Sequence, residues 1–300
     1  MLNTRFLPRS SVVAIIIFGF LSDPCGYAQF ARDEVSVSWG IKNLDPVKVE
    51  VIETPGQSVR FNGINSTYYP FRLKITFNNV QNLAPRPSFK VMELKHGSNQ
   101  IITFTIATKD VGYGYNYAFN YWLGTSEADA DRVYPYLIPL KEGITAAADN
   151  VGGIKQIGRF RCNPGDTVYC MRKGVVTAVP GTSTNDFRVT AEDVLEVLHK
   201  DGTIMTYMFM DKARPFTSQG KTVFPGQPLG VASDSACVMV RLLEFKEPNI
   251  ISYIPINYLL EGGETALFNE ISGKGRIVHP EEVVTREMTK GEIKRIERAP

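Results

Sequence analysis

A chain of 300 residues carrying 33 Lys and Arg against 31 Asp and Glu has a formal net charge of +2, so it lacks the strong basic field used to bind nucleic acid. With 43% hydrophobic residues it is long enough for one or two domains with proper cores, and it is not of the polar composition that stays unfolded.

Arg5 and Arg9 precede an apolar run from Val12 to Leu21, and Gly26-Tyr27-Ala28 supplies a small-x-small site. Together these read as a secretory signal over residues 1–28, too short in its apolar part to cross a bilayer. The mature chain is expected to begin near Gln29, exported and soluble, with no transmembrane segment. Cys25 follows Asp23-Pro24, a poor fit to a lipid-attachment site. Of the 4 cysteines, Cys162, Cys170 and Cys237 are then left, an odd number for an exported protein. Cys162 and Cys170 flank the turn Asn163-Pro164-Gly165-Asp166. Opposed hairpin arms would bring them within disulfide distance, although both are equally suited to a core as small buried thiols.

From Asp33 to Leu140 the pattern is β throughout. Val35 to Trp39, Val47 to Ile52, Phe71 to Phe77, Phe89 to Leu94 and Ile101 to Ala107 alternate or run apolar between turn signals, which predicts a β-sandwich over residues 29–145. In the next strand Tyr113, Tyr115, Tyr117, Phe119 and Tyr121 occupy every second position and share one face. That face either stacks on sugars or packs against the second sheet. Glu127, Asp129 and Asp131 lack the spacing of an EF-hand loop and read as a solvated connector. Ala146 to Gly153 forms the expected domain junction.

The stretch from Gly158 to Phe245 is a series of short β-branched or aromatic runs bounded by Gly, Pro or Asp. It includes Gly-Arg-Phe-Arg-Cys-Asn-Pro-Gly-Asp-Thr-Val-Tyr at 158–169, Gly174-Val175-Val176, Leu195 to Met210, and Phe224-Pro225-Gly226-Gln227-Pro228-Leu229-Gly230. In order and spacing it resembles the catalytic domain of the lysostaphin-like (LytM-type) zinc endopeptidases, which cut peptidoglycan cross-bridges. Tyr134-Pro135-Tyr136-Leu137-Ile138-Pro139 is similar to the run that precedes that domain in members with a β-domain in front. The resemblance implies an antiparallel β-domain over residues 150–260, hence an all-β chain in two parts. Thr190-Ala191-Glu192-Asp193 alone would open a helix. The resemblance instead implies a strand ending at the Asp201-Gly202 hairpin turn, with Ile204 to Met210 as its partner.

The family holds zinc with a His, an Asp and the second His of a His-x-His strand, leaving one position for an activated water. Two further His residues assist. Aligned on Gly165, Val168 and Gly174-Val175-Val176, the ligand Asp falls on Arg159 and an assisting His on Phe209. The His-x-His strand falls on Cys237 to Glu244, which contains no His and carries Arg241. The chain has 3 His in all, and none lies between His96 and His199. His199 sits before the Asp-Gly turn, where the family often carries a His that is not a ligand. A Cys162, Cys170, Cys237 and His199 zinc centre lacks the usual short Cys-x-x-Cys spacing. No Gly-x-Ser-x-Gly elbow is present, and no pair of acids stands out for glycoside hydrolysis.

No catalytic residue, metal or cofactor is therefore expected. The expectation is a degenerate, non-catalytic member of the bacterial envelope that binds a protein partner or peptidoglycan, with Arg159, Phe209 and Arg241 as a candidate groove. The alternative is an active peptidoglycan metalloendopeptidase or other envelope hydrolase with a relocated site. Residues 261–300 form a charged extension, ending in a short capped helix expected at Thr289 to Arg298.

Overall fold

The computed structural model describes residues 34–36, 46–125, 129–148, 157–181, 193–235, 237–247, 250–271 and 275–296. The segment expected to be a signal, residues 1–28, lies outside them. Among the described residues no helix is long and apolar enough to cross a membrane.

The protein is all β. Its first body is a sandwich. One sheet holds β2 (Val47–Thr54), β3 (Ser58–Asn65), β7 (Gly97–Ile106) and β5 (Leu83–Ala84) in that order; the other holds β6 (Phe89–Leu94), β4 (Phe71–Gln81) and β8 (Gly114–Leu123). Strand β3 was not among the strands expected from the sequence. Its Gly63 permits close packing: a Cβ would stand 2.7 Å from Leu94 Cδ2, where the two sheets meet. The aromatic strand resolves as packing. Tyr121, Phe119 and Tyr117 pair with Leu73, Ile75 and Phe77, and Phe61 of the facing sheet sets its ring 5.3 Å from Tyr115 and 5.2 Å from Tyr117.

The second body is built on an antiparallel sheet in the order β1 (Glu34–Ser36), β18 (Ile250–Ile254), β17 (Cys237–Glu247), β14 (Ile204–Met208), β13 (Leu195–Leu198), β12 (Gly174–Ala178) and β15 (Thr222–Val223). Strand β10 (Ile157–Arg161) pairs with the first half of β17 beside β18. Smaller pairings join β11 (Thr167–Tyr169) to β16 (Pro228–Val231), and β19 (Asn257–Leu259) to β20 (Thr265–Ala266) and, in parallel, to β9 (Pro135–Tyr136). At 195–208 the strand reading prevails over the helix, because Leu195 and Val197 meet Tyr207 and Met205 across the hairpin and all four are buried.

The two faces of this sheet do different work. Phe160, Val176, Val197, Tyr207, Val238, Val240 and Leu242 face the domain's own core. Ala178, Ile204, Leu243, Phe245 and Ile251 face the other way and share a core with Phe71 and Leu123 of the sandwich. Contact is close: Tyr68 packs so tightly on Gly220 that a Cβ there would lie 2.4 Å from its ring. Strand β1 precedes the sandwich in sequence yet pairs with β18 of the second body.

The C-terminal extension folds back on this body through α1 (Phe268–Ile271), α2 (Glu281–Val284) and α3 (Lys290–Ile296). The expected capping box is present: Glu292 N–H donates to Thr289 Oγ1 at 3.3 Å and Thr289 N–H to Glu292 Oε2 at 2.7 Å.

The bridge expected between Cys162 and Cys170 is not formed. The arms around the Pro-Gly turn do not pair with each other: β10 joins β17 and β11 joins β16. Cys170 is buried, and its thiol donates to the Arg172 carbonyl at 3.0 Å.

Candidate functional site

Register places the candidate residues on the sandwich-facing side of the sheet. Met208 of β14 pairs with Met239 of β17, which pairs with Arg159 of β10. In the next row Glu196, Thr206, Arg241 and Ile157 stand side by side on β13, β14, β17 and β10. Arg159 and Arg241 are therefore diagonal neighbours on one face, as cross-strand geometry requires. The Arg241 guanidinium lies 5.7 Å from the Tyr253 ring centre.

Phe209 follows Met208 directly, just beyond the end of β14. Its φ of 66° lies in the left-handed region and ends β14. The turned chain is held by Ser233 N–H donating to the Phe209 carbonyl at 2.8 Å and by Met210 N–H donating to the Asp193 carbonyl at 2.9 Å. Phe209, Met208, Met239 and Arg159 are half-buried. Register thus brings Arg159 and Arg241 together on adjacent strands, while Phe209 lies just beyond the end of β14.

The lower row is closed by the sandwich. Glu196 is fully buried; its carboxylate accepts the Thr206 hydroxyl at 3.2 Å and the Tyr69 hydroxyl of the sandwich. This carboxylate is committed to the joint between the two bodies, and the sandwich roofs that end of the face.

Chemically, the open end offers guanidinium, thioether and phenyl groups. Such groups hold an anion or an apolar side chain, but none has a lone pair suited to zinc, and a guanidinium repels a divalent cation. These groups therefore do not fit a zinc ion. Among the described residues no group of three or more His, Cys, Asp and Glu is placed to hold a metal.

The histidines are dispersed. His96 stacks on Tyr68 at 4.0 Å, and His279 faces the Ile138 carbonyl at 3.3 Å. His199 is buried with Nδ1 2.9 Å from the Lys173 carbonyl. Burial and the nearby Arg172 push its pKa down to about 3, so it is a neutral core imidazole.

A second polar cluster, which sequence reasoning missed, surrounds Arg172. This buried guanidinium donates to Asp201 Oδ2 at 2.6 Å, to Tyr136 Oη at 3.0 Å and to both oxygens of Glu287, and it lies 4.1 Å from the Tyr134 ring centre. Lys173 beside it donates to Glu292 Oε2 at 2.9 Å. No local pattern pairs Arg172 with residues more than a hundred positions away, so the sequence carried no signal for this cluster.

No family model matches the chain, and no curated protein matches it. Solved structures similar to it include Helicobacter pylori Csd3 in an orthorhombic crystal, at 9% identity over 83% of this chain and 79% of that chain, with a TM-score of 0.28. The same protein in a hexagonal crystal matches at 10% identity over 88% and 79%, with a TM-score of 0.28. A zinc-containing peptidase from Vibrio cholerae matches at 10% identity over 74% and 84%, with a TM-score of 0.25.

Proposed function

We propose that this chain is an exported, non-catalytic LytM-like protein of the bacterial cell envelope, periplasmic or at the cell surface, that acts by binding a protein partner or peptidoglycan. The observation that carries this reading is the row Met208, Met239 and Arg159, with Phe209 next to Met208 in the chain. In the resemblance Arg159 aligns with a ligand Asp and Phe209 with an assisting His. They cannot activate water, yet an Arg beside aromatic and thioether groups is the composition enriched at binding hot spots. The open end of the face is the proposed groove, and the sandwich forms its wall.

The test has two arms. Elemental analysis of the purified mature protein is expected to find no stoichiometric zinc, and a peptidoglycan-clearing assay no activity; one tightly bound equivalent of zinc together with clearing overturns the non-catalytic reading. Arg159→Ala and Phe209→Ala, each shown to fold by circular dichroism, are expected to lose partners that wild type recovers from envelope extracts. If both recover the same partners, the groove is a packed relic.

A further inference from the structure

The sandwich turns the aromatic side of β8 inward, and on the opposite side of the same sheet Ala118, Asn120, Lys74, Phe89 and Val91 are exposed. On that outer face Trp122 of β8 stands opposite Arg72 of β4, Asn120 opposite Lys74, and Ala118 opposite Thr76. On the other flank, β6 sets Val91 opposite Lys74 and Phe89 opposite Thr76. Phe89 is 55% and Val91 38% exposed, a large apolar exposure for neighbouring residues on one sheet face.

Two features separate this face from ordinary surface. The first is that both cations lie against rings: the Arg72 guanidinium is 5.3 Å from the Trp122 ring centre and the Lys74 ammonium 5.4 Å from that of Phe89. The second is that neither cation has a carboxylate partner among the described residues, although Glu93 is registered opposite Arg72. Four residues along the strand and two strands across, Trp122 and Phe89 are about 16 Å apart. Between them run the two cations, the exposed amide of Asn120 and the Thr76 hydroxyl.

We propose that this face is a second binding site, independent of the groove, for a polysaccharide strand that carries carboxylate groups. A flat antiparallel sheet with an aromatic ring near each end suits an extended chain of sugar rings, whose C–H faces pack on Trp122 and Phe89. Asn120 and Thr76 supply donors and acceptors for hydroxyls. Arg72 and Lys74, without a carboxylate partner among the described residues and already beside the rings, meet the carboxylates. An acidic protein would use the cations but not the spaced pair of rings.

The test uses the full-length protein and polygalacturonate as probe, with dextran of matched length as neutral control and polyglutamate as anionic control without sugar rings. Binding is measured by calorimetry at low and at high salt. Polygalacturonate is expected to bind in preference to both controls. Trp122→Ala and Phe89→Ala are each expected to weaken it about tenfold, a loss of about 1.4 kcal/mol, and Lys74→Glu to remove the salt-dependent part. All three positions are on the open face, and circular dichroism checks that the variants fold. The proposal is overturned if polygalacturonate does not bind, if dextran binds as tightly and Lys74→Glu changes nothing, or if polyglutamate binds as tightly and the aromatic variants are silent. Partner recovery through Arg159 and Phe209 is read separately, so failure of either proposal leaves the other standing.

Discussion

Glu287 accepts the Nε–H of Arg172 at 3.1 Å and its Nη2–H at 2.7 Å, which draws the C-terminal extension onto a guanidinium whose side chain is 3% exposed. Asp201 holds the same guanidinium from the sheet side, so Arg172 is the point where extension and domain meet. A cation this deep needs both its partners, because removing one leaves charge poorly compensated in a low-dielectric site. The surrounding helices are too short to be stable alone and depend on this contact and on the small cluster of Leu137, Leu259 and Val283.

Glu287→Gln is therefore expected to destabilise the protein by about 1–3 kcal/mol, with Asp201 limiting the loss. Urea denaturation measures the stability, and limited proteolysis should cut earlier between residues 285 and 296. An unchanged midpoint and cutting pattern would contradict the anchoring role.

The neutral His199 makes stability depend on pH. Its ordinary pKa of 6.5 falls to about 3 in the fold, so between these values the unfolded chain binds a proton that the native chain refuses. Stability must then rise with pH through this window and fall by about 1 kcal/mol for each unit of acidification. For Asp201, burial pushes the carboxyl up but Arg172 and Thr203 outweigh it, leaving the pKa below 3.8; its contribution is lost only at still lower pH. Unfolding free energies measured from pH 7 to pH 4 should show the slope, and His199→Gln should flatten it.

Tyr258 buries a hydroxyl that has no hydrogen-bond partner among the described residues, and burial raises its pKa well above 10.0. The oxygen sits over Gly158, where a Cβ would come within 2.0 Å of it. Tyr258→Phe removes an unsatisfied polar group and is expected to be neutral or to stabilise by about 1 kcal/mol. Gly158→Ala alone should destabilise by about 1–3 kcal/mol through overpacking, and should be less harmful in the Tyr258→Phe background. Thermal melts of the two single variants and the double variant give the coupling.

The cysteines supply a chemical check. Burial pushes the Cys170 thiol up to about 12. It is expected to resist alkylation in the native protein and to react after denaturation, with non-reducing peptide maps showing no Cys162 to Cys170 bridge. A bridged peptide would mean that β10 and β11 approach each other as hairpin arms.

Much of the architecture was legible because turns and alternation are local. Phe89 to Leu94 is a strand at the bounds its apolar run set. Asp201-Gly202 closes the hairpin of β13 and β14, with Gly202 at φ 79°. The Thr289 and Glu292 cap is likewise contained in four residues. Strand β3 was missed, and its Gly63 answers a contact with Leu94, thirty-one positions away.

The candidate groove divides in the same way. The chemical unsuitability of Arg159, Phe209 and a His-free strand for zinc follows from residue identity alone. The meeting of Arg159 and Arg241 on adjacent strands, the covering of the Glu196 end by Tyr69, the inward turn of the β8 tyrosines and the attachment of Glu287 to Arg172 were decided by tertiary structure. Each joins segments far apart in the chain. Periodicity shows that a strand has two faces, but only packing decides which face meets a neighbour and which is left to solvent.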